Sequence, residues 1–283
     1  MKKTFTLALG LLMSMGILAQ DLPQPSPAAT VSQRVGLTDV EVVYSRPAMK
    51  GRTIFGDLVP YNELWRTGAN KATAITFSTP VMINDTKIDA GSYSIFTIPT
   101  ESDWTIILNK NTELWGTNGY DQEMDAIRIK ATPMNHGRVE SMSISVENVT
   151  VNSADVMIAW SDKVVSFPIE VNTAEYAEAN IEAALGADDA DWRTYRNAAS
   201  YYLNNDMNME LANEYMGTSI EMNNESWYSY FLHAQIMAKM GDEDGAEDAA
   251  EMALEKGEEA AEAEGGEFPY TGMIEEFMES IED

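Results

Sequence analysis

The apolar pattern of this chain changes period once, near residue 172. Upstream it alternates. Met142, Ile144 and Val146 are interleaved with Ser141, Ser143 and Ser145, and Ile127 and Ile129 with Arg128 and Lys130. A period of two places one face of a strand on a core and the other in water. Downstream the spacing is helical, as in Met273, Ile274, Phe277, Met278 and Ile281. Strands followed by helices, rather than interleaved with them, predict an α+β chain in two parts.

Charge divides at the same place. The chain carries 18 Lys and Arg against 46 Asp and Glu, a formal net charge of −28 over 283 residues. Of these, 28 acids but only 4 bases (Arg193, Arg196, Lys239 and Lys256) follow Thr173. The expected domains are therefore a near-balanced β-domain over 20–173 and an acidic helical domain over 174–283. An acidic balance of this size argues against nucleic acid as a partner. The absence of cysteine excludes a disulfide scaffold, a thiolate metal site and a thiol nucleophile.

Residues 1–19 read as a signal peptide. Lys2 and Lys3 precede an apolar run from Leu7 to Leu18, and Ala19 is the expected cleavage position. The run is shorter than the 20 or so residues of a membrane span, and no later stretch is long and apolar enough. The expectation is an exported protein, periplasmic or extracellular.

Strands are expected at Val40–Tyr44, Ala74–Ser78, Tyr93–Ile98, Trp104–Leu108, Ala126–Lys130, Met142–Val146, Val156–Trp160 and Val164–Val171. Asp89-Ala90-Gly91 and Pro99–Asp103 look like hairpin turns, and Pro133–Gly137 like a loop. Eight short strands with little helical periodicity predict an antiparallel β-sandwich, with a barrel as the alternative. In the second part, helices are expected at Tyr176–Leu185 and from Asp188, then at Met207–Glu221, Glu225–Met240, Glu243–Gly257 and Gly272–Ile281. Ala212, Ser219 and Ile220 repeat 34 residues later as Ala246, Ala253 and Leu254. That is the tetratricopeptide period of paired antiparallel helices. An ordinary bundle of helical hairpins is the alternative. Arg196 and Ser200 stand where Tyr230 and Ala234 stand, so the first unit is degenerate.

The stretch from Tyr44 to Asn70 is the candidate site. Arg46, Lys50, Arg52, Arg66 and Lys71 concentrate there in a chain poor in bases, with Tyr61, Trp65 and Asn70 among them. Guanidinium groups bind anions in bidentate fashion, and aromatic rings stack on sugars. The competing reading is that these arginines tie a long connection to the sandwich through backbone carbonyls. Asp57 and Glu63 flank the bases and are the carboxylates to test for hydrolysis, unless they pair with Arg52 or Arg66. His136 and His233 lie in different parts without ligand-spaced partners, so neither a metal nor another cofactor is expected. The acidic run from Asp242 lacks a calcium-loop spacing.

Tyr44-Ser45-Arg46-Pro47, Lys50-Gly51-Arg52, Ile54-Phe55-Gly56, Val59-Pro60-Tyr61, Trp65–Asn70, Ala90–Pro99, Trp104–Ile107 and Ser166–Ile169 together resemble a bacterial family. It is the family of domain of unknown function 2911, and the resemblance covers about 26–173. The resemblance implies an exported protein of the Bacteroidetes type, often with a helical tail. It supplies no activity or substrate. The expected role is binding of a protein or glycan in the cell envelope. The alternatives are a carboxylate-dependent glycan hydrolase and a structural envelope component.

Overall fold

The computed structural model describes residues 22–281. The expected signal peptide lies outside the described residues. The chain forms two compact units that meet between Thr173 and Ala174.

Ten strands build the first unit. They are β1 Ala28–Val35, β2 Thr38–Ser45, β3 Thr73–Phe77, β4 Val81–Ile83, β5 Thr86–Ile88, β6 Gly91–Pro99, β7 Trp104–Asn109, β8 Asp125–Ala131, β9 Met134–Glu147 and β10 Ser153–Glu170. They make a six-stranded sheet, β1-β2-β3-β6-β7-β8, and a four-stranded sheet, β5-β4-β10-β9. Every strand pairing is antiparallel. One core joins Val40, Val42, Ile75, Phe77, Ile95 and Leu108 of the larger sheet to Ile83, Met142, Ile144, Val156 and Phe167 of the smaller. The result is a sandwich of two open sheets rather than a closed barrel.

The sandwich departs from the sequence expectation at four places. β10 is one strand where two were expected. Register shifts between Ala159 and Lys163 mark a bulge, and Ser161 there has φ 57°. An inserted residue flips the pleat. Val156, Ile158 and Trp160 face the core before it, and Val165, Phe167 and Ile169 after it. Asp89-Ala90-Gly91 is not a hairpin, because β5 and β6 belong to different sheets. Met134–Gly137 is not a loop but the exposed start of β9. β1, β4 and β5 were not anticipated: β1 pairs on one side only, and the other two have three residues each, too few for alternation to register.

β6 and β7 are buried on both faces. The outer face is covered by a small second core in which Phe96 and Ile107 meet Ala72 and Leu114, with Leu64 and Tyr120 against them. Two loops, one on each side of β6–β7, are thereby drawn onto the same sheet face.

The second unit holds six helices: α1 Thr173–Leu185, α2 Trp192–Asn204, α3 Met209–Met222, α4 Trp227–Met240, α5 Glu243–Glu264 and α6 Thr271–Ile281. Asp191, rather than Asp188 or Asp189, caps α2, bonding the amides of Arg193 and Thr194. α5 does not stop at Gly257 but runs on to a left-handed Gly265. The hairpins α2–α3 and α4–α5 repeat, with a change of offset. Asn208 and Asp242 cap α3 and α5, 34 residues apart, while Asp191 and Ser226 cap α2 and α4, 35 apart. At the longer offset Tyr195 matches Tyr230, and Ala199 matches Ala234, both fully buried. The first unit is therefore less degenerate than a fixed period suggests. No helix among the described residues is long and apolar enough to cross a membrane.

Candidate functional site

Between β2 and β3 the chain makes a long excursion, 46–72, whose backbone is rich in left-handed residues. Lys50, Asn62, Thr67 and Asn70 have φ of 49°, 64°, 53° and 61°, and Gly56 has φ 87°. At Gly56 the need for glycine is double, since a Cβ would stand 2.8 Å from the ring of Tyr61. The excursion is anchored to both sheets. Ala48 bridges Ser141 of β9, with Met49 donating to the Glu140 carbonyl at 2.8 Å. Trp65 bridges Thr97 of β6 through two backbone hydrogen bonds of 2.8 Å. The Tyr44 hydroxyl accepts from the Ile144 amide at 3.0 Å. Four rings pack beneath. Phe55 meets Trp65, Trp104 and Trp160 edge-on, and Trp65 stacks on Trp160 with centroids 5.7 Å apart.

The three arginines have different fates. Arg46 Nε donates to the Met142 carbonyl at 2.9 Å. Arg52 donates from Nε to Met49 and from Nη2 to Ala48, at 2.9 and 2.6 Å. Both are ties of loop to sheet or of loop to itself. Arg66 is neither. Its Nε is buried without a hydrogen-bond partner. Among the described residues none of the three guanidinium groups has a carboxylate partner. The pairing of Asp57 or Glu63 with Arg52 or Arg66 is thus not formed, and both acids are exposed.

Arg66 lines a cavity of about 380 Å³ with Arg52, Glu63, Leu64, Trp65 and Trp160. Pro47, Leu58, Val59 and Pro60 supply apolar wall, and Thr117 closes another side. The loop bearing Thr117 is held from behind. Asn109 donates to the Asp121 carbonyl at 2.9 Å and to the Asp125 carboxylate at 2.8 Å. The Tyr120 hydroxyl donates to the same carboxylate at 2.7 Å, and Arg128 donates to it at 2.7 Å. Burial, then the Asp125 carboxylate, push the Tyr120 phenol up to about 12, so the hydroxyl stays a donor. Gly116 in this loop leaves room for the Arg66 guanidinium, since a Cβ there would stand 3.1 Å from Nη1.

The seven sequence candidates do not converge on one place. Arg52, Trp65 and Arg66 share the cavity just described. Arg52 and Tyr61 also border a 560 Å³ depression with Arg138, Asp162 and Lys163. Asn70 bonds the Ser26 carbonyl and the Ser45 hydroxyl, at 3.3 and 3.2 Å, beside a 490 Å³ hollow that holds Trp115. Arg46 and Lys50 border none of the three; the Lys50 amide donates to Glu140 at 2.8 Å. Trp160 and Thr117 were not anticipated at the site. Each reads locally as an ordinary strand or loop residue and reaches the cavity only through sheet packing. Among the described residues no cluster of His, Asp or Glu is placed to hold a metal ion.

A family model described as a protein of unknown function, DUF2911, matches residues 26–169. The chain belongs to this family. The match takes in β2, the whole excursion and the β9–β10 edge that anchors it, so the cavity of this DUF2911 protein is built by the family domain. No curated protein matches the chain.

Proposed function

We propose that this DUF2911 protein is an exported binding protein of the cell envelope, carried out by the signal peptide 1–19. Its β-unit takes a ligand group, borne by a protein or a glycan, in the cavity lined by Arg66. The acidic helical unit, a short tetratricopeptide-like array, presents a second surface. The observation that carries the reading is the contrast among the arginines. Arg46 and Arg52 each donate from Nε to a backbone carbonyl, while Arg66, which lines the cavity, leaves its buried Nε without an acceptor and its guanidinium without a carboxylate. Unsatisfied buried donors cost enough to be rare, so each one in a native fold needs an explanation, and a cavity beside it makes a binding role the one to test. The repeated α2–α3 and α4–α5 hairpins support the helical part of the reading.

Hydrolysis is less well supported at the same cavity. A two-carboxylate mechanism needs paired acids across the scissile bond. Glu63 is the one acid among the lining residues, and Asp57 is not beside it there.

The test passes native envelope extract over the immobilised full chain and identifies the retained molecules by mass spectrometry. Ala69→Phe fills the cavity, and a melting curve checks that this variant folds. Molecules held by the wild type and lost with Ala69→Phe support the reading. An identical set retained by both refutes it.

A further inference from the structure

We infer that the group admitted by this cavity is a carboxylate on an apolar body, in the form of the C-terminal residue of a peptide. The inference rests on the cavity being a binding site, and it names what binds there.

Charge comes first. A guanidinium stays protonated at any physiological pH, and burying part of it without a counter-charge is unfavourable. Arg66 has neither a hydrogen-bond acceptor at Nε nor a carboxylate partner, and Arg52 adds a second positive charge to the same lining. Only Glu63 opposes them, and it is exposed. An entering carboxylate supplies the counter-charge that the lining lacks, and it matches the planar donor set of arginine.

The wall decides what carries that carboxylate. Pro47, Leu58, Val59, Pro60 and Leu64 offer aliphatic contact, and Leu58 is 43% exposed with nothing of its own unit to cover it. A sugar needs a free aromatic face and unspent hydrogen-bonding groups. Trp65 has already committed its N–H and one of its faces. Its indole is stacked on Trp160, its N–H donates to the Gly68 carbonyl at 3.2 Å, and Phe55 meets its ring edge-on. A volume of about 380 Å³ lies at the small end of ligand pockets and suits one or two residues. A peptide C-terminus carries a carboxylate and an apolar side chain on one residue, and chain ends are a recurring class of ligand.

The experiment titrates the full chain calorimetrically with the peptide Ala-Ala-Leu, with its C-terminal amide and with glucuronate. The free acid is expected to bind at least tenfold more tightly than either of the others. Arg66→Gln is expected to weaken the free acid tenfold or more and to erase its advantage over the amide. Arg66→Lys, which keeps the charge, retains that advantage, and melting curves confirm that each variant folds. Equal binding of acid and amide overturns the inference. So does tighter binding of glucuronate, or no binding of the peptide acid. If Ala69→Phe releases an envelope molecule while acid and amide are indistinguishable, the cavity stands as a binding site and the peptide end as its occupant does not.

Discussion

Arg66→Met should leave the β-unit as stable as the wild type or more stable, whereas Arg46→Met should weaken it. Methionine keeps most of the arginine stem, so both variants preserve aliphatic packing and differ in what the guanidinium was doing. At Arg46 the change removes a charge-assisted hydrogen bond, 2.9 Å to the Met142 carbonyl, and leaves that carbonyl without its donor. Such bonds contribute about 1.5–3 kcal/mol. At Arg66 no hydrogen bond is lost, and a buried donor without a partner is removed. That donor costs about 1–3 kcal/mol where it is left unmet. The two variants should therefore differ by at least about 2 kcal/mol. With a urea slope of about 2 kcal/mol per molar, their midpoints should separate by about 1 M. Four of the six tryptophans, Trp65, Trp104, Trp115 and Trp160, lie in this unit, so replacing Trp192 and Trp227 of the helical unit by phenylalanine in every variant confines the emission signal to it. If Arg66→Met lowers the midpoint as far as Arg46→Met does, Arg66 is a structural tie like its neighbours, and the argument for a ligand fails with it.

Two further predictions concern the helical unit. Gly257 lies inside α5 and packs under Phe268, where an added Cβ would overlap the ring, 2.7 Å from Cδ1. Helix propensity alone favours Gly257→Ala by about 1 kcal/mol, but the overlap costs about 1–3 kcal/mol, so denaturation should show a net loss that turns to a gain in a Phe268→Ala background. His233 is partly buried, with Nε2 2.7 Å from Asn213 Oδ1, and burial holds its pKa below the ordinary 6.5, against a smaller opposite pull from Asp242. The unfolded chain then takes up the proton more readily, so the His233 contribution to stability is present above about pH 6.5 and is lost as pH falls through the depressed value. Far-ultraviolet melts between pH 7.5 and 4.5 should show a decline that His233→Gln reduces; an unchanged slope would contradict the assignment.

Much of the architecture was legible because hydrophobic period is a local property. β2 buries Thr38, Val40, Val42 and Tyr44 and exposes the residues between them, as its alternation requires. Pro99–Asp103 turns β6 into β7, and the amide of Thr100 bonds the Asp103 carbonyl at 2.9 Å. The long β10 looks like two strands in the sequence because the bulge at Ser161 shifts the period, and a shifted period resembles a break. The one-residue difference between the helical hairpins hid the match of Tyr195 to Tyr230 in the same way.

By itself the sequence determined the class of each part and where the two parts meet, and it singled out the stretch that holds the cavity. Those follow from periodicity and composition, which the backbone reads over a few residues. It could not separate Arg46, Arg52 and Arg66, which are chemically identical and close in the chain. Their difference depends on where the folded chain places acceptors, for Arg52 within its own loop and for Arg46 on a distant strand. The Met142 carbonyl lies 96 residues from Arg46. The loop that presses Gly116 toward Arg66 is drawn in by Asn109, Tyr120 and Asp125. Only the folded domain decides which guanidinium finds an acceptor and which is left without one, because hydrogen-bond satisfaction is settled by spatial proximity rather than by residue type.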